Sequence, residues 1–256
     1  MVKRIESSQN QKIKKWKKCH KKKWRDEYGL YLIEGLHLLE EALKVPSRVQ
    51  AVIYDEHFQK ENVNITAEVE EYSVPHQLFQ ELSQTESPQG VIAVCKMPDQ
   101  RVDITERGRY LLLDSIQDPG NLGTIIRTAD ACGLDGIFLG KGCADLYNEK
   151  TLRAAQGSHF HLPSAAVDLT DVIKQMKEKS IQVYGTALNG QELSYTPRAV
   201  QAFALLMGNE GNGVSEDLLS LTDVNVKIPI YGNAESLNVA VASGILMYWL
   251  RGFERE

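Results

Sequence analysis

Leu111-Leu-Leu-Asp-Ser-Ile-Gln-Asp-Pro-Gly-Asn-Leu-Gly-Thr-Ile-Ile-Arg-Thr-Ala-Asp-Ala-Cys-Gly133 reads as a buried strand that ends in a Pro-Gly-Asn turn and runs directly into a helix. A strand followed at once by a helix is half of a crossover unit, and such units build parallel sheets with both faces covered. Asn121 takes the expected N-cap position. Arg127 follows six residues later, in a helix otherwise made of Ile, Ala and Thr. A charge among apolar neighbours needs a partner, because an unpaired charge is costly to bury. The choice lies between a carboxylate such as Asp118 or Asp130 and an anion such as phosphate.

Downstream the alternation continues. Strands are expected at 136–139, 160–162, 182–187, 203–207 and 224–228, and helices at 150–157, 169–179 and 237–253. Upstream lies a smaller α/β unit: a helix at 10–28, an extended stretch at 28–33, helices at 34–44 and 75–82, and strands at 49–54, 68–73 and 90–95. Between the two, Met97-Pro-Asp-Gln-Arg-Val-Asp-Ile-Thr-Glu-Arg-Gly108 is polar and contains Pro and Gly, which suits a linker. The expected organisation is therefore an N-terminal domain over 1–96, a linker over 97–108 and a mainly parallel α/β domain over 109–256.

A chain of 256 residues with 43% hydrophobic content can bury substantial cores. No apolar run reaches the roughly 18 uncharged residues needed to cross a bilayer, and no apolar signal core follows the basic N-terminus. The expected location is the cytoplasm. Cys19, Cys95, Cys132 and Cys143 are scattered without a Cys-x-x-Cys pair, so neither zinc site nor disulfide framework is indicated. The net charge of −5 conceals an asymmetry: residues 1–25 hold eleven Lys or Arg and one acid, whereas the remaining 231 hold 18 bases and 33 acids. The block Lys12-Ile-Lys-Lys-Trp-Lys-Lys-Cys-His-Lys-Lys-Lys-Trp-Arg25 suits phosphate-backbone contact with base stacking on its two tryptophans, against the alternative of a solvated basic face.

Two further segments have ligand-binding character. Phe203-Ala-Leu-Leu-Met-Gly-Asn-Glu-Gly-Asn-Gly-Val-Ser215 is a strand followed by Gly208, Gly211 and Gly213, with Glu210 where the backbone can approach a ligand closely. Its Gly-x-x-Gly-x-Gly order differs from the dinucleotide fingerprint. Ile228-Pro-Ile-Tyr-Gly-Asn-Ala-Glu-Ser-Leu-Asn238 is a loop of small polar residues that opens a helix of small apolar ones. Such a helix start offers spare N–H groups to a polar or anionic ligand. His159 and His161 share the two-residue spacing of one strand face, but no third ligand is evident and no metal is expected. Asp114 and Asp118 could be paired carboxylates, although an Asp before Pro-Gly favours a turn.

Asn121 with Arg127, then Gly208-Asn-Glu-Gly-Asn-Gly213, then Ile228-Pro-Ile with Ser236-Leu-Asn238 resemble, in this order, the three motifs of the SpoU (TrmH-like) branch of the SPOUT RNA methyltransferases. The resemblance covers about residues 108–253. It extends weakly to Tyr31-Leu-Ile-Glu-Gly-Leu-His-Leu-Leu-Glu-Glu-Ala-Leu43, which looks like the start of a ribosomal-protein-like substrate-binding domain. Asn209 stands where alanine often precedes the motif glutamate.

The resemblance implies a trefoil-knotted C-terminal fold, a homodimer, and S-adenosylmethionine held by the backbones of Gly208, Ile228 and Leu237. It implies methyl transfer to a ribose 2′-hydroxyl of structured RNA, rRNA ahead of tRNA. Arg127 would anchor the neighbouring phosphate and stabilise the developing alkoxide, with the proton lost to a nearby acceptor or water, since a guanidinium keeps its own proton in proteins. Asn121 would orient the arginine or the ribose. Ser236 and Asn238 would position the hydroxyl and the cofactor loop, and Glu210 would fix Arg127 or the loop between Gly208 and Gly213. The alternative is a non-catalytic RNA-binding or ribosome-assembly factor on the same fold.

Overall fold

The computed structural model describes residues 2–59, 65–193 and 199–252. They form two compact units, one made of Met1–Asp99 with Tyr147–Phe160, the other of Gln100–Leu146 with His161–Glu256. The switch near residue 100 falls inside the expected linker. Residues 147–160 lie in the first unit, although the sequence placed them in the second. Their apolar side chains find partners there: the Tyr147 ring sits 4.5 Å from that of Tyr31 and Phe160 6.5 Å from it.

The first unit carries strands β1 (Lys3–Arg4), β2 (Leu30–Glu34), β3 (Val49–Asp55), β4 (Glu70–Val74) and β5 (Val91–Lys96). Their order is β1-β4-β3-β5-β2, with β1, β4 and β3 parallel and β5 antiparallel to both neighbours. The expected single helix over 10–28 is two helices, α1 (Gln11–Lys18) and α2 (Lys22–Tyr28). Asn10 caps the first by accepting from the Lys12 amide, and Gly29 ends the second in the left-handed conformation. Helix α3 (Leu36–Leu43) and α4 (His76–Leu82) complete the N-terminal part. Ile13 and Trp16 from α1 and Leu78, Phe79 and Leu82 from α4 share one core with Ile53, Tyr72 and Ile92 of the sheet.

The second unit is built on a six-stranded, wholly parallel sheet in the order β11-β9-β10-β6-β7-β8. Its strands are β6 (Arg109–Leu113), β7 (Gly136–Leu139), β8 (Ser164–Ala166), β9 (Gln182–Glu192), β10 (Phe203–Met207) and β11 (Val224–Lys227). β10 is apolar at every position and buried throughout, as a central strand covered on both faces requires. Helix α5 (Pro119–Cys132) follows β6, and α6 (Glu149–Ala155) is the helix that belongs to the first unit. Helices α7 (Leu169–Glu178) and α8 (Glu216–Leu219) pack Ile173, Met176 and Leu218 onto Leu112, Phe138 and Leu206. Helix α9 (Val239–Arg251) packs against α5 and β10. Phe253, the expected last residue of that helix, lies outside the described residues.

Two local readings change. The expected strand at 160–162 is a 3-10 turn, Ser158–Phe160, and the edge strand starts two residues later at Ser164. His159 and His161 thus do not share a strand face, and His161 contacts Asp130 at 3.2 Å. Strand β9 runs five residues beyond its expected end, because the polar stretch to Glu192 pairs with β11 at Gln191 and Glu192.

Candidate active site

The strand order decides where the site lies. Strands β6, β7 and β8 run outward in sequence order on one side, while β10, β9 and β11 lie on the other, so the direction of winding reverses between β6 and β10. Loops leaving the carboxyl ends of two such neighbours diverge and open a crevice. Here those loops are 114–118 and 208–213. Because every strand is parallel, the ends of β9 and β11 open on the same edge.

The loop after β10 folds back on itself. Asn209 and Gly213 exchange two backbone hydrogen bonds of 2.9 Å, and Asn209 Oδ1 accepts from the amides of Gly211 and Asn212. A Cβ on Gly208 would stand 2.1 Å from the carbonyl carbon of Gly213 and the nitrogen of Val214, so only glycine fits. Glu210 is thereby aimed at the loop after β6. Its carboxylate accepts from the amides of Gln117 and Asp118 and from Asn121 Nδ2, each at 3.2 Å. Partial burial pushes this carboxyl up. Hydrogen bonds from its own amide, Asn121, Asp118 and Gln117 outweigh that and hold it below the ordinary carboxylate value.

Asn121 is not the N-cap. That role belongs to Asp118, whose Oδ1 accepts from the Asn121 amide at 2.7 Å, with Pro119 pre-set for the first helical turn. The Asp114–Asp118 pairing is absent as well: Asp114 Oδ2 accepts from the Ser215 amide at 2.9 Å and ties the two loops together. Placed in the first turn of α5, Asn121 has its side chain spare for longer contacts. Its Oδ1 accepts from Asn238 Nδ2 at 3.0 Å, and Asn238 Oδ1 caps α9 by accepting from the amides of Ala240 and Val241. Glu210, Asn121 and Asn238, one from each motif, therefore form a continuous hydrogen-bonded chain.

Beside this chain lies an open cavity of about 830 Å³. Gly208, Glu210, Ile228, Ser236 and Leu237 all line it, together with Thr186, Leu188, Asn189 and Val239. The wall mixes exposed apolar side chains, Leu188, Ile230 and Leu237, with loop backbone of glycine-rich and coil segments. Such a wall fits S-adenosylmethionine: apolar faces suit the adenine ring, and loop amides and carbonyls suit its polar edge. The residues from the far end of β9 were not foreseen. Their one available signal is Gly190, where a Cβ would meet the backbone of Asn225 and Val226 at 2.8 Å.

Arg127 stands apart from the cavity on the exposed side of α5. Neither of the carboxylates considered for it is its partner, since Asp118 caps the helix and Asp130 engages His161. Among the described residues no hydrogen bond joins Arg127 to Asn121 or Glu210, so the expectation that Glu210 fixes Arg127 gives way to its other reading, the bracing of the 208–213 loop. On α9, which packs against α5, Val241 and Ile245 are 52% and 41% exposed. Among the described residues no group of three or more His, Cys, Asp or Glu could hold a metal, and no helix is long and apolar enough to cross a membrane.

Residues 108–248 match the SpoU rRNA Methylase family, and residues 10–93 match the MRM3-like substrate binding domain. A 23S rRNA (guanosine(2553)-2′-O)-methyltransferase, RlmP, of Bacillus subtilis is 48% identical over 98% of this chain and all of its own length. The crystal structure of an AdoMet-bound rRNA methyltransferase from Sinorhizobium meliloti superposes with a TM-score of 0.86 at 31% identity, covering 98% of this chain and 97% of that one. The SpoU methyltransferase AviRb from Streptomyces viridochromogenes, in complex with AdoMet, superposes at 0.81 with 29% identity over 94% and 97% of the two chains. With three motif loops braced on one another at the carboxyl edge of a parallel sheet and relatives matched along their whole length, the chain belongs to the SpoU family of SPOUT methyltransferases.

Proposed function

We propose that this protein is an S-adenosylmethionine-dependent RNA methyltransferase that modifies a ribose 2′-hydroxyl of structured RNA, ribosomal RNA ahead of tRNA. The observation that carries the reading is the Glu210–Asn121–Asn238 chain at the rim of the cavity lined by Gly208, Ile228 and Leu237. A protein that only bound RNA would need no such bracing around a cofactor-sized cavity.

The cofactor, when bound, supplies an electrophilic methyl group on its sulfonium. The chain's own residues do the rest. Gly208, Ile228 and Leu237 offer backbone groups to the nucleoside, and Ser236, exposed in the cavity wall, offers its hydroxyl to the incoming ribose. Asn121 and Asn238 tie the two segments together, a rigidity that would serve the in-line placement such a transfer requires. Arg127 binds the adjacent phosphate and stabilises the alkoxide as the hydroxyl loses its proton to water.

The first unit, with its basic helices, would receive the RNA. A homodimer would account for the exposed Arg127: the exposed apolar side chains of Val241 and Ile245 on the neighbouring helix α9 suit a two-fold interface, across which the arginine would complete the partner's site. The RNA substrate and four unpaired thiols suit the cytoplasm.

The test is to incubate the purified protein with labelled S-adenosylmethionine and total RNA from cells lacking it, then map ribose methylation. Label appearing at one 2′-O position is expected. Intact cofactor binding with no transfer to any RNA would replace the enzyme with an RNA-binding or assembly factor.

A further inference from the structure

The two tryptophans of the basic segment have different fates. Trp16 is only 4% exposed and meets Tyr72 edge-on, with centroids 5.3 Å apart, so it belongs to the core. Trp24 is half-buried on α2 and stacks on Tyr28, one helical turn further on, at 5.6 Å and 26°. Arg25, which is buried, donates from Nη1 to the carbonyls of Cys19 and His20 at 2.8 and 2.9 Å. This clamp fixes α2 against the end of α1, so the aromatic pair is rigidly mounted.

Lysines surround that pair. Lys18 Nζ lies 4.3 Å from the Trp24 ring centre, Lys23 Nζ lies 5.2 Å from it, and Lys15 Nζ lies 5.0 Å from the centre of Tyr28. Four other lysines of the segment are neutralised: Lys3 and Lys12 by Glu70, Lys17 by Glu81, Lys22 by Asp26. Lys15, Lys18 and Lys23, like Lys14 and Lys21, have no carboxylate partner among the described residues. Three of these five unpaired charges thus lie over the Trp24 and Tyr28 rings.

We propose that Trp24 and Tyr28 form a stacking platform for unpaired bases of the RNA, and that Lys15, Lys18 and Lys23 take the flanking phosphates. The proposal rests on the RNA-modifying reading above and names the part of the substrate that the first unit grips. An exposed lysine over a ring is held more weakly than a stacked base, so an arriving base displaces the ammonium, which then meets a phosphate. Duplex RNA keeps its bases within the stack and offers only its charge.

The experiment titrates the full chain with a labelled single-stranded RNA and with a blunt, fully paired RNA duplex of equal charge, for wild type, Trp24→Ala, Trp24→Phe and Lys18→Ala. Trp24→Ala is expected to bind the single strand about tenfold more weakly or worse, with an unchanged salt slope and nearly unchanged duplex affinity. Trp24→Phe keeps most of the affinity. Lys18→Ala lowers the salt slope by about 0.7 on the single strand. Equal single-strand binding by wild type and Trp24→Ala, or an equal loss on the duplex, overturns the platform.

Thermal unfolding controls for the fold. If Trp24→Ala does not fold, quenching of wild-type tryptophan emission at saturating single strand, compared with Trp24→Phe, decides; no Trp24-dependent quenching overturns the proposal. A wild type that binds and methylates RNA while Trp24→Ala does so equally well fails the platform alone, whereas a wild type that methylates no RNA fails the reading beneath it.

Discussion

Asn238 Nδ2 donates to Asn121 Oδ1 across 3.0 Å, and the direction of that bond is dictated from both ends. Asn238 Oδ1 is committed to the amides of Ala240 and Val241, so its nitrogen must face Asn121. The Glu210 carboxylate only accepts, so Asn121 must turn its nitrogen that way and its oxygen toward Asn238. Backbone amides at one end and an ionised carboxylate at the other thus fix the orientation of two side chains that could otherwise flip. Asn238→Ala removes both the cap and the tie. A lost cap costs about 0.5–2 kcal/mol, which lowers Tm by roughly 1–8 °C in a chain of this size. Asn238→Asp keeps the cap, so calorimetry should show stability near wild type, yet a methyl-transfer assay should show a loss of about tenfold or more, because a carboxylate cannot donate to Asn121.

For Glu210 the pH dependence has a definite sign. Its folded-state carboxyl lies below the ordinary value of 4.5, so its contribution is complete above that value and is lost as pH falls below it toward the folded value. Melting curves at about pH 7 and about pH 4 should therefore drop less for Glu210→Gln than for wild type. An equal drop would show that the carboxylate is not the group bracing residues 117–121.

Arg127 is exposed and lines no part of the cavity. Arg127→Ala should leave Tm within about 1 °C of wild type and cofactor affinity nearly unchanged while transfer falls by about two orders of magnitude, as for loss of a group that meets developing charge. Arg127→Lys should recover little, since a point charge lacks the planar fork. Calorimetric titration with S-adenosylmethionine separates the cases: a tenfold weaker cofactor complex moves the arginine to the cofactor.

Gly208→Ala places a methyl group 2.1 Å from the backbone of Gly213 and Val214. No side chain can swing aside there, so the turn must open. Cofactor binding should weaken at least about tenfold and Tm should fall by several degrees. Gly211→Ala, whose Cβ would meet nothing closer than Asn209 Oδ1 at 3.6 Å, is the matched control and should bind cofactor normally.

A fragment of residues 1–99 tests the division of the chain. It lacks Tyr147 and Phe160, which cover Tyr31. Each buried aromatic contributes about 1.5–3 kcal/mol, so the loss approaches the whole stability of a small domain. The fragment should bind a hydrophobic dye and show a broad, low-temperature transition; a sharp melt near that of the full chain would count against residues 147–160 as part of that core.

The sequence by itself determined what depends on near neighbours. The strand-turn-helix after Leu111, the apolar run Phe203–Met207 and the small-residue helix opened by Asn238 follow from patterning and capping within a few residues. The ordered motifs carried the family. Local signals could not separate Asp118 from Asn121 as the cap, because both residue types cap well and only the backbone geometry selects between them. Nor could they divide the two tryptophans, since burial depends on what Tyr72 of a remote strand presents. Tertiary structure alone decided which loops meet. Glu210 reaches Asn121 across 89 residues and Asn238 reaches it across 117, and those meetings follow from strand order, which is set by hydrogen bonding between segments far apart in the chain. The same physics assigned residues 147–160 to the first unit: an apolar face goes where partners cover it, whatever its place in the sequence.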